Sequence, residues 1–297
     1  MTHLPPSRRA RLSTFDVVNS LLMVTVLIVT LYPFLNVLAV ALNDSQDTVR
    51  GGVTIYPRQP TLENFRAIFA YGNIPQAFLI SVVRTVIGTA LSLGACAMVA
   101  YVLSRRDFLG RGLLSRFLAI TLYVSGGLIP GFLLIRDLHL MNSFWVYILP
   151  TLINAFNIFM IRSYMDELPV ELQESARIDG ANDLVIFLRI VLPLCTPVLA
   201  TVALFIAVGQ WNSWFDTYLY NSSNPQLSTL QFELMKILQS TQSGADAMRS
   251  DQLRTQQITP DSIKMAITVI TIIPILLVYP FLQRYFVAGM TLGAVKG

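Results

Sequence analysis

Six stretches of this chain run for nineteen or more residues without a charged side chain, and they limit its fold more than any other feature. They are Val17 to Leu42, Thr85 to Ser104, Phe117 to Ile135, Ser143 to Ile161, Pro197 to Phe215 and Met265 to Gln283. A helix needs about 20 mostly apolar residues to cross roughly 30 Å of hydrocarbon. Inside that layer no water satisfies backbone N–H and C=O groups, so only helices and closed barrels cross it. Barrel strands alternate apolar and polar residues. These runs are continuous, so they read as six transmembrane helices of an all-α membrane protein. Composition agrees: 54% of the 297 residues are hydrophobic and 13% charged, against about a quarter charged in a soluble domain.

The first run follows Arg8, Arg9 and Arg11, as a secretory signal would, and Ala39-Val40-Ala41 resembles a cleavage site. The run is far longer than the roughly 7–15 apolar residues of a signal peptide, so it reads as an uncleaved anchor. Arg and Lys concentrate on the cytoplasmic side of a span. The tail 1–16 carries three Arg, and the segment from Arg105 to Arg116 has four Arg against Asp107. Both therefore belong to the cytoplasm. Six spans across residues 17–288 then leave the C-terminal tail, 289–297, on the same side. The segment from Asn43 to Pro75 and the long polar segment 221–260 face outward. Within the latter, Phe232 to Leu238 has the periodicity of a short surface helix.

Little here suggests soluble chemistry. Net charge is +4, but the basic residues lie in clusters between apolar runs, which reads as topology and not as a nucleic-acid surface. Cys96 and Cys195 are in no metal or redox spacing, so they read as reduced structural thiols. His3 and His139 are isolated, so no metal centre is expected. No phosphate loop of the G-x-x-x-x-G-K-[ST] type occurs, so the chain has no ATP site of its own. No nucleophile or metal cluster supports a membrane enzyme. Arg84 stands at the edge of the second run. It reads as a side chain snorkelling to the interface, with a pore-facing charge as the alternative.

The segment between the fourth and fifth runs, residues 162–197, is more than a turn. Pro169 suits a helix start, Glu171 and Glu174 oppose the N-terminal dipole, and Gly180 fits a left-handed C-terminal cap. This predicts a short helix from Pro169 to Asp179. Asn182 or Asp183 can cap a second helix running through Leu184, Ile186, Phe187 and Ile190 to Pro193. Helix, glycine turn and helix make a compact cytoplasmic knob.

The string Glu174-Ser175-Ala176-Arg177-Ile178-Asp179-Gly180-Ala181, followed by Ile190, Leu192 and Pro193, resembles the Glu-Ala-Ala loop of ATP-binding-cassette (ABC) importer permeases. Ser175 replaces the usual second Ala with another small residue. Pro60 to Phe65, Leu128-Ile129-Pro130, Ile148-Leu149-Pro150 and the ending Phe286 to Gly297 are similar to motifs of MalG-type carbohydrate permeases. Gly209 to Asp216 looks like the oligosaccharide and polysaccharide branch, alginate importers included. The resemblance implies the six-helix importer-permease fold with a cytoplasmic coupling helix. It implies a second homologous permease, two cytoplasmic ATPases that bind ATP and Mg, an extracytoplasmic solute-binding protein and a carbohydrate substrate. No cofactor would be held by this chain. Glu174, Ser175, Ala176, Asp179, Gly180 and Ala181 would then face the ATPase.

At 1.5 Å per residue, Trp211 lies roughly 20 Å along the fifth run. Trp211, Trp214 or Phe215, and Tyr218 share a face of a continuous helix, with Asn212 and Asp216 beside it. Aromatic faces, amides and carboxylates suit a sugar, so Trp211, Asn212, Trp214 and Asp216 are expected to line the substrate path. The competing account of the aromatics is an interfacial belt. Gly126-Gly127 and Pro130-Gly131 interrupt the third run, either as a hinge or to allow close packing. The alternative to an importer subunit is a stand-alone secondary transporter or channel. Those often show mid-span acids or inverted repeats, and the six runs contain no Asp or Glu.

Overall fold

The computed structural model describes residues 13–70, 73–243 and 259–294. His3, the tail arginines Arg8, Arg9 and Arg11, residues 244–258 of the long polar segment and the last three residues lie outside it. Among the described residues the regular structure is helical, with a single isolated bridge between Asn43 and Pro60. The chain divides into two compact units, Met1–Ile68 with Asp246–Val269, and Phe69–Ala245 with Ile270–Gly297.

In the first unit, α1 (Thr14–Ala41) opens on a capping box in which Ser13 and Asp16 satisfy each other's backbone N–H groups. Its side chains are exposed around the whole circumference from Thr14 to Phe34, as expected of a helix that is apolar on every face and sits in lipid. Beyond α1 lie α2 (Ser45–Val49) and α3 (Glu63–Ala70). Asn64, from the Pro60–Phe65 motif, fastens this region. Its amide donates to Ala41 O at 2.9 Å and Asn43 O at 2.8 Å, and its Oδ1 accepts from Ser45 Oγ at 2.8 Å. Three polar residues are thereby buried at the end of an apolar helix with partners in place.

The second unit is built around α4 (Ile74–Ser104). In chain order there follow α5 (Arg111–Thr121), α6 (Leu128–Asp137), α7 (Ala155–Asp166), α8 (Val170–Ile178), α9 (Asp183–Ile186) and α10 (Leu192–Leu194). Then come α11 (Thr196–Asn212), α12 (Phe215–Tyr220), α13 (Leu230–Ser243) and α14 (Pro260–Ala294), which begins in the first unit and ends in the second. α7 and α11 pack on α4. The contact is possible because Ser81, Gly88, Ser92, Cys96 and Ala100 form a buried stripe of small residues on α4, the device that lets spans approach closely without a hydrophobic driving force. Ile158, Ile161, Ile186, Val191 and Val202 fill the core against Cys96 and Ala100. Cys96 and Cys195 are free and buried, as the sequence implied.

Three helices are long and apolar enough to cross a bilayer: α1, α4 and the 260–278 part of α14. The fourth and fifth runs are bent pairs. Phe144–Thr151 meets α7 at 51°, and Asp183–Leu194 meets α11 at 83°. Against the six spans expected from the sequence, three helices among the described residues meet this measure, or five if each bent pair is one span. The third run is interrupted between α5 and α6, where Gly127 takes φ of 86°, a left-handed value that glycine adopts without strain. The piece expected at Phe232–Leu238 is part of α13, which packs on α4 and buries Leu230 and Phe232, so it is not a wholly exposed surface helix. The final helix continues through Ala294, past the expected boundary at 288.

Candidate functional site: the knob and a buried polar network

α8 starts at Val170, with Pro169 as its N-cap, one residue later than expected. At its other end Gly180 has φ of 83°. Gly180 N donates to Arg177 O at 3.0 Å and Ala181 N to Ala176 O at 2.9 Å. This pair of bonds is the Schellman arrangement, which closes the orphan carbonyls of the last turn. Asn182, not Asp183, caps the next helix, accepting from Val185 N at 2.9 Å. The chain then passes through a π-helical turn, Phe187–Val191, into α10 and α11. Phe187 packs on Tyr101 of α4, ring centroids 5.1 Å apart.

The motif divides cleanly by burial. Ala176 and Ala181 pack against the core, whereas Glu174, Ser175, Asp179 and Gly180 are exposed. Small residues thus seat the knob on the bundle while polar ones face away. Apolar side chains also point outward: Ile178 is 87% exposed and Leu184 62%. Beside them Arg177 donates to Asp107 Oδ2 and Asp183 Oδ1, both at 3.1 Å. The hydrogen bond from Arg177 holds the Asp107 carboxyl below its usual pKa. Arg105 pairs with Asp107 at 3.4 Å and Asp183 at 3.7 Å and bonds Gln173. The loop after α4 is therefore tied to the knob by four charges of alternating sign. A recess of about 500 Å³ between them is lined by Arg106, Asp166 and Glu174 among others.

Arg84 does not snorkel. Its side chain is 2% exposed and pairs with Asp216, Nη2 to Oδ2 at 2.5 Å. Its Nε and Nη2 donate to Gln210 Oε1 at 3.2 and 3.0 Å, and Cζ lies 4.3 Å from the centroid of the Tyr147 ring. Gln210 Nε2 in turn donates to Tyr147 O at 3.2 Å and Thr151 Oγ1 at 3.1 Å. This corrects the reading from position alone. An ion buried in a span stays there only when its hydrogen-bonding capacity is filled, and here it is. Gly88 makes room for the network, since a Cβ at that position would sit 2.9 Å from Gln210 Cδ.

The shared aromatic face predicted along the fifth run is broken. α11 ends at Asn212, Ser213 is extended, and α12 begins only at Phe215. Trp211 points inward, 6% exposed, with Nε1 donating to Thr271 O at 3.0 Å and its ring edge-on to Phe78 at 6.1 Å. Trp214 lies beyond the break, against Phe215 and Tyr218. Asn212 is exposed and its Oδ1 accepts from Gln231 Nε2 at 3.1 Å. Asp216 is bound to Arg84. Sequence reading missed Gln210 and Tyr147. Gln210 carried a usable signal, an amide inside an apolar run; Tyr147 carried none.

Residues 92–292 match the family described as binding-protein-dependent transport system inner membrane component. The polygalacturonan/rhamnogalacturonan transport system permease protein of Bacillus subtilis is 40% identical over 272 residues, 91% of this chain and 94% of that protein. The arabinooligosaccharides transport system permease protein of Halalkalibacterium halodurans is 32% identical over 91% of this chain and 92% of its own length. Among solved structures, a chain of a bacterial ABC transporter involved in import of the acidic polysaccharide alginate superposes with a TM-score of 0.84. It is 28% identical and covers 96% of this chain and 100% of its own.

Proposed function

Because the chain belongs to the family of inner membrane components of binding-protein-dependent transport systems, we propose that it is the permease subunit of an ABC importer for an oligosaccharide or polysaccharide. The observation that carries this reading is the knob. Its glycine-capped helix presents Glu174, Ser175, Asp179 and bare Ile178 outward while Ala176 and Ala181 fix it to the bundle. That outward face supports a reading in which a partner covers it. In this reading the partner is an ATPase that binds ATP and Mg, with two copies per complex, and the chain itself holds no cofactor. A second homologous permease completes the translocation path, and an extracytoplasmic solute-binding protein delivers the sugar.

The Arg-rich segment 105–116, the knob and both termini then lie in the cytoplasm, and the segments 43–75 and 221–260 face outward. A knob held rigidly on two broken spans transmits ATPase closure as rigid-body motion. On the substrate side, Asn212 and Trp214 flank the break at Ser213, where Asp216 and Trp211 lock the two helices in place.

The test is purification of the complex in mild detergent, with ATP hydrolysis measured as sugar-loaded binding protein is added. An ATPase should co-purify and hydrolysis should rise with an oligosaccharide. Glu174→Arg should remove the ATPase or abolish the stimulation while the permease still inserts. Uptake of sugar by the isolated chain under an ion gradient, with no ATPase attached, would establish the secondary-transporter alternative instead.

A further inference from the structure

Asn157 is a mostly buried residue whose side-chain amide reaches a cleft without a hydrogen-bond partner among the described residues. The residue is 8% exposed. Its backbone N–H donates to Asn154 Oδ1 at 3.2 Å, but its side chain makes no hydrogen bond among the described residues. It lines a cleft of about 430 Å³ between α4, α7 and α11, together with Thr151, Asn154, Phe156, Phe205 and Gln210. An amide left unpaired in hydrocarbon costs a few kcal/mol, so this cleft does not open onto lipid. The backbone around it supports the same conclusion. The chain is irregular between Thr151 and α7, where the span bends by 51°, and again at Ser213. Broken backbone at membrane depth is tolerated where it lines a cavity, and discontinuous spans are where transporters commonly hold their substrates.

The chemistry of the walls narrows the ligand. The charges of Arg84 and Asp216 are spent on each other, so the cleft offers no free ion. Asn154 has its Oδ1 committed to the helix cap, which leaves its NH2 to donate outward. Phe156 and Phe205 are 55% and 44% exposed, presenting ring faces beside these amides. One amide without a partner and a second with its NH2 free to donate, next to bare rings, match a sugar, with hydroxyls at its edge and an apolar C–H face.

We infer that this cleft is a saccharide subsite: the amides of Asn157 and Asn154 bind hydroxyl groups of one sugar unit, and Phe156 and Phe205 pack against its C–H face. The inference rests on the importer reading above and adds a place and a chemistry to it. Recognition here is by hydroxyls, so a carboxylate on the sugar is neither needed nor read at this position.

The experiment measures equilibrium binding of labelled trigalacturonate and arabinotriose to the purified permease–ATPase complex, without binding protein. Asn157→Leu should weaken binding of whichever probe the wild type takes up about five- to tenfold. Phe156→Ala should weaken it about threefold. Because the Asn157 amide has no partner among the described residues, Asn157→Leu should leave the melting temperature of the complex unchanged or higher. An amide with a structural role would lower it. Unchanged affinity in both variants overturns the subsite. So does failure of both probes to bind wild type, or a loss of the second permease from the Asn157→Leu complex, which would make the cleft a subunit interface. If no sugar-loaded binding protein stimulates the wild-type ATPase, the importer reading falls and the subsite with it.

Discussion

Arg84 and Asp216 differ in how deeply they lie, and that difference predicts how each tolerates loss of the other. The Arg84 side chain is 2% exposed, that of Asp216 20%. Asp216→Leu leaves an unpaired guanidinium in the interior, a cost of about 3–5 kcal/mol. Arg84→Leu leaves a carboxylate that can still reach water, so the cost is smaller, about 2–3 kcal/mol on the same scale. The double variant removes both ions and should be less destabilised than the sum of the two single variants. Thermal unfolding of the purified complex reads all three. Additive losses would mean that the two side chains act separately. Sequence reading misplaced Arg84 because its partner lies 132 residues away. Position at the end of a charge-free run reports hydropathy along the chain, and says nothing of what the fold brings alongside.

Helix ends were more legible, because caps are local chemistry. Pro169, Gly180 and Asn182 mark the knob in the sequence and each takes up its place within one residue of expectation. Breaks inside apolar runs were less so. The bend before α7 and the break at Ser213 arise where the backbone turns to meet side chains from other helices, and hydropathy passes through them unchanged. At Gly180 the cap makes a graded prediction. No atom lies within 4 Å of a Cβ added there, so the penalty is conformational and not steric. Gly180→Asn, which tolerates the left-handed region, should keep coupled ATP hydrolysis near wild type. Gly180→Val should cost about 1–2 kcal/mol locally and abolish coupling or release the ATPase. Equal activity in the two variants would show that the cap is dispensable.

At the scale of the whole molecule, orientation can be tested with thiols, since the native Cys96 and Cys195 are 0% exposed and should stay silent to impermeant reagents. Val49→Cys, at a site 71% exposed, should label in intact cells, and Leu109→Cys, fully exposed, only after permeabilisation. The opposite pattern would invert the topology. The length of α1 carries a further consequence. Its 28 residues rise about 42 Å at 1.5 Å per residue, while the hydrocarbon of an average bilayer is about 30 Å thick. The excess must be taken up by tilting or by stretching the surrounding lipid, and α1, whose side chains are exposed from Thr14 to Phe34, is apolar enough to meet that lipid directly. Acyl-chain length therefore becomes a control variable for this protein: in reconstituted vesicles, uptake should rise from short-chain to longer-chain lipids as the mismatch along this helix closes.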